Sequence, residues 1–300
     1  MQGLILLNKP AGITSAGAVA RIKRITGEKR VGHTGTLDPM ATGVLPVLIG
    51  RATALSGLML DSDKRYTAGI KLGVSTDTED ITGSIVSEKS VTVSTEKIET
   101  ALRAFVGKIS QRPPVYSALK KDGVRFYELA RRGEAPEPEC REVEVFSLSL
   151  LCEPDRENVF TVDAHVSKGT YIRSLARDIG EYLGCGACLS SLTRTYAGGF
   201  RLNDCVNPDE LDADNVGMFI KSEEAAVGHL REVTVTPKQA IRFCNGGQLD
   251  FERLRIENIT DGELFRIKCD GIFLGVGRAD FERSQLAVKC VINYPEDKEK

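Results

Sequence analysis

The chain has no tryptophan, only three histidines, and no apolar run long enough to cross a bilayer. Without tryptophan, any aromatic platform for a nucleobase must come from tyrosine, phenylalanine, histidine or arginine. With histidines only at 33, 165 and 229, a Ser-His-Asp relay has His33 and His165 to draw on. The Gly-x-Ser-x-Gly elbow that would present its serine is missing. Also missing are Gly-x-x-x-x-Gly-Lys-Ser/Thr and a Gly-x-Gly-x-x-Gly after a strand, so nucleoside triphosphates and dinucleotides are not expected ligands. The one Cys-x-x-Cys, Cys185 to Cys188, has no second pair and no nearby histidine, so no zinc site is expected. The eight cysteines are scattered and read as reduced thiols in and around a core. The N-terminal MQGLILLNKP carries neither a basic region nor a small-residue cleavage site. It reads as a first strand, and the chain as cytoplasmic.

What is present is a chain of 300 residues, 41% hydrophobic and 27% charged, enough for a large domain with a core and a small second one. The net charge of −2 conceals an asymmetry: residues 1–200 hold 26 Lys+Arg against 23 Asp+Glu, net +3, and residues 201–300 hold 14 against 19, net −5. Within the first part the bases cluster: Arg21, Lys23, Arg24, Lys29 and Arg30; Lys64 and Arg65; Lys120, Lys121 and Arg125; Arg131 and Arg132; Lys168, Arg173 and Arg177. Several of these clusters flank glycine-rich loops, a pattern that fits a polyanionic partner.

The chain is organised around residues 30–46, a polar, glycine-rich loop between a basic helix and an apolar run at 44–49. Gly32, Gly35 and Gly43 permit positive φ or close approach of another backbone. Pro39 restricts Asp38 to extended geometry, so one carboxylate is presented in a defined orientation, with His33 five residues before it. Before this loop, 3–7 is a strand, and Ser15 caps a helix that runs to Thr26 and stops at Gly27. After it, Tyr66, Ala68, Ile70 and Leu72 alternate with polar residues as in a half-buried strand. An acidic loop (76–83), a strand-like stretch (84–93) and a helix with Ile98, Leu102 and Phe105 on one face follow. Two strands, 143–151 and 159–166, form a hairpin. A helix with Ile172, Leu175, Ile179 and Leu183 as its buried stripe ends at Gly184. Arg173 then lies in that helix's first turn, where the dipole disfavours a cation, a local cost of the kind functional sites carry. From 233 the pattern is a small β module, with a helix at 237–244 and an Asp270-Gly271 hairpin turn.

As an acid, Asp38 has three possible roles: base, metal ligand or covalent nucleophile. Ligand partners at suitable spacing are lacking, so no metal is expected. Tyr66, beside Lys64 and Arg65, is either a core aromatic or a stacking surface for a base. Arg173 is either a surface cation or the partner that a buried Asp38 needs.

These residues carry a resemblance. GHTGTLDPMATGVLPV resembles the signature of the TruB-type tRNA pseudouridine synthases. LLNKPAGITS, DSDKRYTAGIKLGVSTDTEDITG, QRPPVYSALKKDGVRFYELARRGE and VSKGTYIRSLARDIGEYLG resemble the family's other blocks, in family order, over roughly residues 3–200. The resemblance implies an α+β fold: a mixed, largely antiparallel sheet with flanking helices at 1–232 (the pseudouridine synthase fold). A PUA-like RNA-binding module at 233–294 and a charged tail at 295–300 complete the expected organisation.

It also implies isomerisation of the T-loop uridine at position 55 of tRNA, with no cofactor and no metal. Asp38 becomes the catalytic aspartate, Tyr66 the tyrosine that stacks on the target base, and Arg173 the arginine paired with the aspartate. His33 is the histidine that enters the T-loop in place of flipped bases. Asp80, Lys120, Tyr171 and Leu192 fall in matching blocks as pocket residues, and Lys64, Arg65 and Lys168 are expected to meet RNA. The stretch 190–196 departs from the family pattern, which is more arginine-rich there. The partner expected is the tRNA T-stem-loop, without membrane, guide RNA or protein partner. Two rivals stand beside this expectation: a guide-RNA-dependent synthase, and an RNA-binding or tRNA-folding module without catalysis.

Overall fold

A computed structural model describes residues 1–117, 120–121, 124–132, 136–254 and 256–295. Among the described residues, nine strands form the main sheet. Seven of them run as its path: β1 (Gly3–Lys9), β2 (Thr42–Ile49), β3 (Lys64–Leu72), β4 (Gly107–Gln111), β5 (Arg141–Cys152), β6 (Val159–Val166) and β7 (Ala187–Ala197). Their spatial order is β1-β2-β7-β3-β6-β5-β4, with the short strand Val31–His33 beside β2 and Phe200–Arg201 beside β7. Every pairing is antiparallel except β2 with β7, where Thr42 and Gly43 run parallel to Thr193 and Arg194. The sheet is thus mixed and largely antiparallel, as expected.

Period-two patterning sets its two faces. Tyr66, Ala68, Ile70 and Leu72 of β3 join the main core with Leu189 and Leu192 of β7. Thr67, Thr161, Asp163, His165 and Thr193, on the other face, are half-buried. Three helices cover the core face: α1 (Ser15–Thr26) with Ala18 and Ile22, α2 (Thr95–Ala104) with Ile98, Ala101 and Leu102, and α3 (Ile172–Tyr182) with Ile172, Leu175, Ala176 and Ile179.

Two expectations need correction. The cap of α1 is Thr14, whose Oγ1 accepts from the Gly17 amide at 2.9 Å; Ser15 is the first helical residue and is engaged elsewhere. The strand-like stretch at 84–93 shortens to Ile85–Glu88, paired with Val74–Thr76 around the acidic loop.

The second sheet holds β8 (Arg231–Thr234), β9 (Leu249–Asp250), β10 (Leu264–Cys269), β11 (Ile272–Asp280) and β12 (Gln285–Val291), in the order β8-β10-β11-β12-β9. Helix α4 (Pro237–Cys244) starts at a capping box, in which Thr236 Oγ1 accepts from the Gln239 amide and Gln239 Oε1 accepts from the Thr236 amide. Asp270 and Gly271 both have positive φ, as the tight hairpin turn between β10 and β11 requires.

β1 is buried on both sides, which explains its unbroken apolar run. Ile5 and Leu7 face the main core. Leu4 and Leu6 face a separate cluster with Ala226, Val227, Phe273, Val276 and Ile292, so the second sheet packs on the back of the first. Among the described residues, no helix is long and apolar enough to cross a membrane.

Candidate active site

Asp38 lies on the loop that enters β2, and that loop is held from below. Ser15 Oγ accepts from the Leu37 amide at 2.8 Å and donates to the Leu37 carbonyl at 3.1 Å. The Gly12 amide donates to the Pro39 carbonyl at 2.8 Å, and the Ala41 amide to the Asp38 carbonyl at 3.1 Å. Two buried cations then hold carbonyls on either side. Lys9, fully buried, donates from Nζ to the carbonyls of Pro10 (2.7 Å), Ile13 (2.8 Å) and Pro39 (3.3 Å). Arg194, 1% exposed, donates to Val44 (2.7 Å), Gly35 (3.1 Å) and Thr36 (3.4 Å). Burial pushes the Lys9 ammonium down to about 8, against the pull of the Asp38 charge and with some help from Arg194.

The loop can lie this close to β7 only because of Gly43. Its φ is +105°, and a Cβ there would sit 2.2 Å from the Arg194 carbonyl oxygen.

Arg173 reaches Asp38 from the first turn of α3. Its Nε donates to Oδ2 at 2.9 Å and its Nη2 to Oδ1 at 3.0 Å, a side-on fork that fixes the plane of the carboxylate. Two more guanidinium hydrogens are also placed: Nη1 donates to the Thr78 carbonyl at 2.9 Å and Nη2 to the Tyr116 carbonyl at 3.0 Å. The Arg173 side chain is 5% exposed and that of Asp38 30%, so the acid is the open end of the pair. Each carboxylate oxygen has a second lone pair that the fork does not use.

Asp80 stands behind. Its Oδ2 is 3.9 Å from Arg173 Nε, while its Oδ1 accepts from Thr78 Oγ1, the Thr82 amide and Thr82 Oγ1. Two carboxylates thus meet one guanidinium, and the Lys9 ammonium adds a second positive charge that interacts with Asp38. The start of α3 is itself pinned: buried Gln111 accepts from the Tyr171 amide at 2.8 Å and donates to the Tyr171 carbonyl at 3.0 Å.

Strand register brings in Tyr66. It lies directly opposite Arg194 on β7 and Ala164 on β6, so it shares the Arg194 face, the side from which Arg194 reaches the loop at Gly35 and Thr36. Tyr66 is 7% exposed, and Leu192, opposite Ala68, lies on the same face. Tyr171 is the residue before α3, with the Arg141 guanidinium 4.7 Å above its ring. Asp38, Arg173, Asp80 and Tyr171 are therefore gathered at the start of α3, and Tyr66 and Leu192 lie on the core face of the sheet that α3 covers.

The structure places the other sequence-derived residues as follows: Lys64 shares the Tyr66 face of β3, and His33, Arg65 and Lys168 lie elsewhere on the surface. His33 is on the edge strand beside β2, where it lines a groove of about 420 Å³ with Lys23, Val19 and Ala20 of α1. Arg65 points to the opposite face of the sheet, into a groove with Asp63, Asp163 and His165. Lys168 is exposed and paired with Asp61 at 2.8 Å. Lys64 is 7% exposed, and its ammonium donates to the carbonyls of Leu60 and Ser62, a tie between the preceding turn and β3. Lys120 is in a short strand, but its side chain lies outside the described residues.

Sequence reasoning missed Lys9, Arg194, Gln111 and Glu79. Lys9 had a signal, a lysine closing a strand that is apolar from Leu4 to Leu7; the others had none, since their partners are distant in sequence. Among the described residues, no three His, Cys, Asp or Glu side chains gather as metal ligands would.

With the geometry in hand, comparison with known proteins is specific. Residues 23–172 match the profile of the TruB family pseudouridylate synthase N-terminal domain, and residues 173–237 that of the tRNA pseudouridylate synthase B C-terminal domain. A tRNA pseudouridine synthase B from Azoarcus sp. (strain BH72) is 43% identical over 281 residues, 92% of this chain and 91% of that one. One from Geotalea uraniireducens (strain Rf4) is 42% identical over 287 residues, covering 93% and 92% of the two chains. Among solved structures, a Cbf5-Nop10-Gar1 complex contains a chain that superimposes with a TM-score of 0.76 at 27% identity, covering 98% of this chain and 86% of that one.

Proposed function

This chain belongs to the TruB family of pseudouridylate synthases, and we propose that it isomerises the T-loop uridine at position 55 of tRNA to pseudouridine. The observation that carries this reading is the Arg173 fork on Asp38: an oriented carboxylate, open on one edge, at the start of the helix that covers the sheet face holding Tyr66. The reaction breaks the N1–C1′ bond, rotates the uracil, and forms a C5–C1′ bond. The C5 hydrogen leaves to solvent and N1 gains a proton, so atoms and charge balance without an external reactant.

The stacked nucleotide hides this bond, so it must first be flipped out. Tyr66 then offers a ring face for the base, and the free edge of Asp38 faces the sugar and ring. Arg173 keeps that edge oriented, which is where a preorganised charge contributes most to rate. The groove beside His33 is lined by Lys23 of α1, which gives it a basic edge for RNA phosphates. The C-terminal sheet at 233–294 extends the RNA contact as a PUA-like module, and the T-loop's folded shape supplies specificity.

The protein acts in the cytoplasm on tRNA alone, without guide RNA or protein partner. Relatives about 40% identical over more than nine-tenths of both chains are named as tRNA enzymes, whereas the Cbf5-Nop10-Gar1 chain is only 27% identical. The test is tritium release from a [5-³H]uridine tRNA transcript by the purified protein, without guide RNA. Release is expected from wild type, and Asp38→Asn should abolish it while leaving tRNA binding intact. No release by wild type from an intact T-loop transcript refutes the proposal.

A further inference from the structure

The Asp38–Arg173 pair depends on two carbonyl acceptors, and one of them, Thr78, belongs to the acidic 76–83 loop. That loop has an unusual centre. Glu79 has φ +63°, in the left-handed region that a residue with a long side chain rarely adopts. Its side chain is only 12% exposed and is held at both oxygens by α3: Ser174 Oγ donates to Oε2 at 2.7 Å, and Arg177 Nη1 donates to Oε1. Its main chain is held on the opposite side, where the Leu189 amide of β7 donates to the Glu79 carbonyl at 3.0 Å and the Ile81 amide donates to the Leu189 carbonyl at 2.8 Å.

Consecutive loop residues therefore meet one turn of one helix. Thr78 meets Arg173; Glu79 meets Ser174 and Arg177. Arg177 is braced in turn by Asp178 at 2.7 Å and by the Arg112 carbonyl at 3.0 Å. Strain of this kind persists only where surrounding contacts over-determine the backbone, and here they do so beside the catalytic pair.

We propose that Glu79 is a positioning residue for the Asp38–Arg173 pair: it sets the register between the 76–83 loop and α3, and so the direction in which Arg173 aims its fork. The inference rests on the isomerase reading above. Glu79 touches neither Asp38 nor the substrate; it acts through Thr78 and the helix. Its carboxyl is held above the usual carboxylate range by burial, against the opposing charge of Arg177, the Ser174 hydrogen bond and the charge of Arg173. Asp178, which shares Arg177, is likewise raised by burial. Acid therefore neutralises the Glu79 strut before an ordinary exposed glutamate would protonate.

The experiment is single-turnover tritium release with Glu79→Gln, Glu79→Gly and Ser174→Ala, at saturating enzyme, across an acid-to-neutral pH series. Glu79→Gly removes the strut while relieving the left-handed backbone, so it separates loss of positioning from loss of folding. Expected are rates down about 10–100-fold for Glu79→Gly and less for Glu79→Gln and Ser174→Ala, as for a misplaced catalytic group, with tRNA affinity within about threefold of wild type. The acid limb of the wild-type rate profile should flatten in Glu79→Gln, which has no proton to gain there. Wild-type rates in Glu79→Gly, rates that track only the fraction of folded enzyme, or an unaltered acid limb in Glu79→Gln would overturn the inference alone. Absence of release by wild type would overturn the functional reading and this inference with it.

Discussion

Arg173→Lys is the sharpest test of the site, because it keeps the charge and removes only the geometry. Arg173 makes four hydrogen bonds: two to Asp38, one to Thr78 and one to Tyr116. Lysine presents a point charge with three donors on a flexible stem, and it cannot form a planar fork. A lysine aimed at Asp38 abandons the two carbonyls. Leaving two partly buried acceptors unpaired costs about 1 kcal/mol each, so the fold should lose up to about 2 kcal/mol. The kinetic cost is larger. With the plane of Asp38 no longer fixed, a displacement of about 1 Å is worth roughly 10²-fold, and part of the charge stabilisation goes as well. Together these predict a single-turnover rate down about 10²–10³-fold, or about 3–4 kcal/mol of barrier.

The rate would be read by tritium release at saturating enzyme, the fold by urea denaturation, and binding by filter retention of tRNA. Arg103→Lys is the control: Arg103 is exposed on α2 with a loose 3.6 Å contact to Glu99, and its replacement should change nothing measurable. A rate for Arg173→Lys within about threefold of wild type, with the fold intact, would refute the claim that the fork orients the acid.

Two further predictions concern the scaffold. Gly43→Ala should cost about 3 kcal/mol, because the new Cβ meets the Arg194 carbonyl at 2.2 Å on a backbone with φ +105°; Gly12→Ala, where φ is +86° but no atom lies within 4 Å, should cost only about 1 kcal/mol. Thermal unfolding of the two variants decides, and equal losses would discard the close-approach argument. Lys64 has its ammonium pushed by burial from 10.5 down to about 8. Between those values the unfolded chain binds more protons than the native one, so the Lys64 contribution to stability rises with pH there and is flat below about 8. Urea denaturation of wild type and Lys64→Met should show the difference moving toward wild type above about pH 8, by at most roughly 1.4 kcal/mol per pH unit; a pH-independent difference would contradict it.

Local rules worked wherever the deciding contacts were near in sequence. Helix α4 could be read from Thr236, Pro237 and Gln239, since a capping box is a contact across three residues. The Asp270-Gly271 turn is specified by its own φ requirements. The cap of α1 shows where such rules fail. Thr14 and Ser15 are both competent caps, and the choice was made by Leu37, 22 residues from Ser15, which takes the serine hydroxyl. Arg194 fails in the same way, because arginine is normally exposed and nothing nearby shows that carbonyls await it in the interior.

The sequence by itself determined the family and the largely antiparallel α+β plan, and it singled out Asp38, Tyr66 and Arg173 as candidates. Each of these rests on a residue type with its immediate neighbours. The tertiary structure decided which cations support the acid and which face solvent, because a buried charge is tolerable only where distant backbone oxygens converge on it. It also turned Glu79, one more acid in an acidic loop, into the brace of the site. That role exists only once the 76–83 loop is pressed between β7 and α3.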